Sequence, residues 1–94
     1  MNALFQFTPQ ATEDLDAIWN FIADNNRIAA DRVEMEIVAT CRRLVKHPLM
    51  GTRRKDITPL PVRFWTVTKF PNYVMVYRLE TAPLKIRSLT VAAR

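Results

Sequence analysis

The chain has 94 residues, 49% of them apolar and 24% charged, with a single glycine and a single cysteine. That length supports one domain around one core, and a lone glycine excludes a glycine-rich phosphate-cradling loop. The formal net charge is +5, unevenly spread: residues 1–40 carry seven acids against Arg27 and Arg32, whereas residues 41–94 carry twelve bases against Asp56 and Glu80.

An acidic first half and a basic second half point to an anionic partner on the basic side, either nucleic acid or an acidic protein segment; solubility alone is the plainer reading. No apolar run approaches the roughly 18–20 residues of a membrane span. The opening MNALFQFTPQ lacks the basic and long apolar regions of a secretory signal. Cys41 has no partner for an intrachain disulfide, so nothing requires an oxidising compartment and the cytoplasm is expected.

In chain order, Leu4 to Phe7 is a short apolar segment, predicted to join the later sheet. Thr8-Pro9 starts a helix, with Thr8 as N-cap and Pro9 in the first helical position. Glu13 and Asp14 follow where acids suit the positive end of the helix dipole. Leu15, Ile18, Trp19 and Ile22 form an apolar stripe at helical spacing, and Asn25-Asn26 closes the helix. A second helix is predicted from about Ala29 to Lys46, with Ala30, Val33, Ile37, Cys41, Leu44 and Val45 on its apolar side. Arg42, Arg43, Lys46 and His47 complement its C-terminal dipole, and Pro48 stops it. Two helices this close form an antiparallel hairpin with one joint apolar face.

Residues 48–61 form a connector with no helical or strand period. It carries the basic run Arg53-Arg54-Lys55, with Asp56 near enough to pair within the loop. Three strands follow: Val62 to Thr68, Tyr73 to Leu79, and Leu84 to Val91. They are separated by the breaks Lys69 to Asn72 and Glu80 to Pro83. The order is β-α-α-β-β-β, an α+β domain with the helical hairpin packed on one face of a small antiparallel sheet.

The middle strand is apolar on both faces, with Tyr73, Met75, Tyr77 and Leu79 alternating with Val74 and Val76. A sheet with one wet face should alternate apolar with polar. The last strand shifts phase, since Lys85 and Arg87 share a face with Leu89 and Val91. One helical hairpin covers only one side, so the second face is expected to be a partly apolar groove filled by another chain. The bland alternative is tyrosines standing half-exposed on a sheet.

Catalytic constellations are sparse. His47 ends a helix, and Cys41 lies on an apolar stripe as a small buried hydrophobe. Neither a zinc site nor a Cys–His pair can be built, and no metal or cofactor is expected. What remains is basic and aromatic, with Trp65, Phe70, Tyr73 and Tyr77 among Arg63, Lys69, Arg78, Lys85, Arg87 and Arg94. Such a set fits nucleic-acid binding, phosphate stabilisation in RNA cleavage, or an acidic protein partner.

The ordered set of Phe7-Thr8-Pro9-Gln10-Ala11, Asp14-Leu15 with Ile18-Trp19 and Ile22-Ala23, then Ala29-Ala30 with Arg32, resembles the RelE/ParE superfamily of type II toxin–antitoxin toxins. It continues through Cys41 and Leu44 to Pro48, Gly51, Arg54 and Asp56, then Val62-Arg63, Tyr73 to Arg78, and Ala93-Arg94. The likeness spans nearly the whole chain and is greatest to the ParE branch. It implies a cytoplasmic toxin, silenced by a cognate antitoxin and joined to it as a hetero-oligomer, with no membrane partner. ParE-like members inhibit DNA gyrase without nuclease chemistry, whereas RelE-like members cut messenger RNA on the ribosome. Placed on the RelE pattern, the second-strand arginine falls at Val74. The lysine pair falls near Arg63 and Trp65, and the last-strand arginine at Arg94, with no later tyrosine. Val91-Ala92-Ala93-Arg94 also departs from the His-Gly-Ala-Arg-Asp-like ending common among ParE-like sequences. The resemblance therefore favours gyrase inhibition. Arg53, Arg54, Arg63, Arg78, Arg87 and Arg94 are expected to contact target or antitoxin, and Tyr73 and Tyr77 to line the groove. A RelE-like ribonuclease using Arg63 and Arg94, or a non-toxic nucleic-acid-binding module, is the alternative.

Overall fold

The computed structural model describes residues 5–78 and 83–91. In chain order they form β1 (Phe5–Phe7), α1 (Pro9–Ala23), α2 (Arg27–Lys46), β2 (Thr52–Arg53), β3 (Arg63–Val67), β4 (Phe70–Arg78) and β5 (Leu84–Val91). Leu4, Leu79 and Arg94 lie outside the described residues.

Helix α1 begins as its sequence dictates. Thr8 is extended, its Oγ1 accepts the Ala11 N–H, and Pro9 opens the helix where a missing N–H costs nothing. Helix α2 starts at Arg27 rather than at Ala29, because Asn26 caps it, while the Asn25 and Asn26 N–H groups also close α1 by donating to Ile22 O at 3.1 and 2.9 Å. The Asn26 Oδ1 accepts the Ala29 N–H at 3.0 Å. The hairpin is fastened near its turn by the Trp19 indole, which donates to Asp31 Oδ1 at 3.0 Å while the Arg27 guanidinium sits 5.7 Å above the ring. Ala30, Val33, Ile37, Cys41 and Leu44 are buried, as the helical period requires. Among the described residues no helix is long and apolar enough to cross a membrane.

The strands form one sheet in the order β1-β5-β4-β3-β2. The pairs β2–β3, β3–β4 and β4–β5 are antiparallel, but β1 runs parallel to β5, so the sheet is mixed. β1 and β5 are far apart in sequence, and no tight turn obliges them to run in opposite directions. The connector also supplies a strand that its sequence did not announce: β2 is two residues long, too short to show a period.

The β3–β4 turn is tighter than its proline implies. Thr68 and Lys69 make the turn, β4 begins at Phe70, and a register skip at Thr66/Val67 absorbs Pro71, Asn72 and Tyr73. Helix α2 anchors this turn. Arg43 Nη2 donates to Thr68 Oγ1 at 2.6 Å, the Thr68 N–H reaches Thr40 Oγ1 at 3.5 Å, and Lys69 lies 3.7 Å from Glu36.

Register assigns the two faces, because residues directly opposite on neighbouring strands share a face. Trp65, Met75 and Leu89 form one row toward the helices, and Arg63, Tyr77 and Ile86 another. Met75, Tyr77 and Ile86 have no solvent exposure, and each such side chain contributes about 1.5–3 kcal/mol by burial. The phase shift in β5 has a cause. A bulge between Val76/Tyr77 pairings leaves Arg87 as the extra residue, so that Leu84, Ile86 and Leu89 all turn inward.

β1 covers β5 only as far as Ile86. Beyond it, α1 takes over the edge: Thr8 Oγ1 donates to Arg87 O at 2.8 Å, and the Leu89 N–H reaches Asp14 Oδ2 at 3.0 Å. Asp14 thus lies past the first helical turn and serves an open strand edge rather than the helix dipole.

Candidate functional site

The side of the sheet facing the helices is filled, and it claims three residues expected on a partner surface. Tyr77 is wholly buried. Its hydroxyl donates to Pro48 O at 2.6 Å and accepts the Gly51 N–H at 2.9 Å. Arg63 Nη1 donates to Gly51 O at 2.6 Å. A Cβ on Gly51 would stand 2.5 Å from the Tyr77 hydroxyl, so the chain's glycine permits this close approach. Burial pushes the Tyr77 phenol up, and the Gly51 amide and the Arg63 charge act against that shift. Tyr77 therefore does not line an open groove; it pins the connector that leads into β2. Tyr73 likewise packs against the helix-side core. The apolar residues left on the other face of β4 are Val74 and Val76 instead.

On that other face the rows are Thr52, Phe64, Val76 and Ser88, then Thr66, Val74 and Thr90. A shallow groove of ≈ 710 Å³ runs over the β2–β3 side, with Phe64, Val74, Ile57 and Val91 as its apolar lining. Ile57 and Val91 are 59% and 62% exposed. Thr66, Thr90 and Arg54 supply its polar rim. Arg54 is held by a two-pronged contact to Asp56, at 3.0 Å from Nε and 2.8 Å from Nη2. That pairing holds the Asp56 carboxyl below the usual carboxylate range and raises Arg54 further.

At the β5–β1 side of the same face lies a second concavity of ≈ 480 Å³. Arg78, Lys85 and Arg87 line it together with Ser88 and the start of α1 at Thr8, Pro9 and Gln10. Arg78 stands directly opposite Lys85 across the β4–β5 ladder. No acid is among the described residues that line the cavity.

The arginines singled out in the sequence thus separate. Arg78 and Arg87 meet in one cavity, Arg54 rims the groove, and Arg63 turns to the connector. Arg53 is exposed in β2, in register with Arg63. Sequence reasoning counts Lys85 in the basic set but leaves it out of the expected contacts, and it passes over Phe64, Ile57 and Val74 as groove lining. Lys85 could have been found from its alternation with the inward-facing Leu84 and Ile86. Ile57 left no signal, since the connector has no period.

Chemistry at the remaining reactive groups is muted. Cys41 is buried, and burial pushes its thiol up to about 12, so the nucleophilic thiolate is scarce near neutrality. Among the described residues no group of three or more His, Cys, Asp and Glu is placed to hold a metal ion.

Comparison with known proteins agrees with this architecture. The family model described as ParE toxin of the type II toxin–antitoxin system parDE matches residues 5–91. A solved structure of the chromosomal ParDE TA system from P. aeruginosa superposes with a TM-score of 0.77, covering 95% of this chain and 95% of that chain at 21% identity. Among curated proteins no sequence matches.

Proposed function

This chain belongs to the ParE toxin family of type II toxin–antitoxin systems, and from that premise we propose that it inhibits DNA gyrase by binding it and is neutralised by a cognate antitoxin laid across the open face of its sheet. The observation that carries this reading is the open face itself. It combines an apolar groove around Phe64, Val74 and Ile57 with a basic cavity at Arg78, Lys85 and Arg87. The hydrophobic core lies on the other side of the sheet. Apolar surface beside positive charge is what a polypeptide partner of opposite charge would cover.

Binding without chemistry is the reading that the side chains favour. Arg63, which a ribonuclease would use on the scissile phosphate, has its guanidinium on Gly51 O. Val74 occupies the groove where the RelE pattern has an arginine. The site of action is then the cytoplasm, where gyrase and DNA are found. A supercoiling assay tests the proposal: folded, purified chain should block gyrase-driven supercoiling, and added antitoxin should restore it. Unimpaired supercoiling at a large molar excess of folded chain overturns gyrase as the target. Ribosome-dependent cleavage of a transcript would replace it with the nuclease alternative.

A further inference from the structure

We infer that Tyr77 is a positioning residue for the antitoxin groove: from the closed side of the sheet it sets where one wall of that groove stands. The inference rests on the antitoxin reading above and names what holds that surface in shape.

The wall is made of connector residues. Thr52, Arg54 and Ile57 flank the groove, against Phe64, Val74 and Val91 on β3, β4 and β5. Little local structure keeps them there. β2 contributes two paired residues, Thr52 opposite Phe64 and Arg53 opposite Arg63, and so short a ladder is weak by itself. Ile57 follows on a turn in which the Arg54 carbonyl accepts the Ile57 and Thr58 N–H groups, both at 3.0 Å. Ile57 is largely exposed, so burial does not anchor it. The Arg54–Asp56 pair lies on the surface, where solvent screens it.

The buried attachment is at Gly51, immediately before the wall. Its N–H donates to the Tyr77 hydroxyl at 2.9 Å, and its carbonyl accepts from Arg63 Nη1 at 2.6 Å. The same hydroxyl donates to Pro48 O at 2.6 Å, so one oxygen ties both ends of residues 48–51. The Met50 N–H closes the bend between them on His47 O at 3.0 Å. Tyr77 has no exposure, and its ring sits in the helix-side core. Its neighbour Val76 faces the other way, in the open-face row with Thr52 and Phe64. The strand that floors the open face thus also carries the fixture for the connector wall. A phenylalanine would fill the same core volume, and both partners of the hydroxyl are connector backbone groups. What the oxygen adds to the ring is therefore the placement of the connector. A wall already in its bound position spares the partner the cost of ordering it.

Stopped-flow mixing of the folded chain with its purified cognate antitoxin tests this. Tyr77→Phe should associate about tenfold more slowly, because the wall then stands in place for only a fraction of the time. Dissociation should match the parent, since the altered side chain is buried away from the partner. Salt dependence should match as well, since no charge is lost. Amide exchange at Thr52, Arg53 and Ile57 should be faster in the free variant and return to the parental rate in the complex. Val33→Ala destabilises the domain from a point about 20 Å along α2 from its connector end, and it should associate as the parent does. Circular dichroism confirms that both variants are folded at the assay temperature. The inference is overturned if Tyr77→Phe associates at the parental rate while Ile57→Ser loses binding, an outcome that leaves the antitoxin reading standing. It is also overturned if Val33→Ala slows association as much as Tyr77→Phe does, because general instability then explains both. Absence of antitoxin binding by the parent chain removes both readings together.

Discussion

Neighbouring residues of β4 are all aliphatic, thioether or aromatic, yet they have opposite surroundings. Met75 and Tyr77 lie against the helices with no exposure, whereas Val74 and Val76 stand half-buried on the open face. The helix-facing side is also chemically closed. Tyr77, Gly51, Pro48 and Arg63 satisfy one another's polar groups, and Asp14 and Thr8 satisfy the edge of β5. On the open face, apolar area and positive charge are gathered into two concavities. Side-chain hydrophobicity alone thus does not say what a strand position is for; the presence of a covering layer does.

The sharpest way to break this contrast is to truncate one residue on each side of the same strand. Met75→Ala should destabilise the domain by about 2–5 kcal/mol, through lost burial and the cavity left behind. Val74→Ser, one residue away, should change stability by less than about 1 kcal/mol yet weaken antitoxin binding. Urea denaturation of both variants checks the pair, and equal losses would mean that the open face is also part of the core.

A smaller effect isolates the polar half of the closed side. Tyr77→Phe keeps the ring and removes the hydroxyl shared by Pro48 and Gly51. Leaving the buried Gly51 N–H without an acceptor should cost about 1–3 kcal/mol. Amide exchange should locate the loss, with faster exchange at Gly51 than at residues of α1.

Sequence patterning made the layers legible because each helix carries one apolar stripe and a capping residue at its start. Thr8-Pro9 and the Val33–Ile37–Cys41–Leu44 spacing needed nothing from elsewhere in the chain. The orientation of β4 was not legible, because a strand apolar on both faces has no polar residues to mark its outside. Tyr77 was therefore read as groove lining, and only its contact with a glycine 26 positions away in sequence reverses that assignment. The bulge at Arg87 was visible only as a broken alternation. Its consequence, three cations in one cavity, depends on α1 lying against the edge of β5. Non-local partners decide such features, and local pattern cannot supply them.

The titration of the closed side gives a smaller and pH-dependent effect. Burial raises the Cys41 thiol from the ordinary 9.0 to about 12, and the Tyr77 phenol is raised as well. A group whose folded pKa lies above its unfolded value gives stability that is whole below the unfolded pKa. That stability is lost as pH climbs toward the folded value, because only the unfolded chain releases the proton. Stability should therefore fall from about pH 9 upward, by about 1.4 kcal/mol per pH unit for one such group. Cys41→Ala should remove the part of this slope that begins near pH 9 and leave the part due to Tyr77, which begins higher. Denaturation midpoints measured between pH 7 and pH 10.5 check it, and an unchanged slope would place the alkaline loss elsewhere.

The smallest effect on stability belongs to the open face and separates binding from folding most cleanly. Arg54 and Asp56 are joined by two hydrogen bonds, yet both side chains remain well exposed, at 48% and 64%. Solvent and salt screen such a pair, so Arg54→Ala should leave the melting temperature where it is. The same arginine rims the apolar groove, where a cation steers an acidic partner before contact. Loss of a rim charge slows association and flattens its salt dependence while leaving dissociation nearly untouched. Stopped-flow mixing with antitoxin should show that slower association. If Arg54→Ala instead lowers the melting temperature, the Arg54–Asp56 pair is a brace for the connector, and its place on the groove rim is incidental.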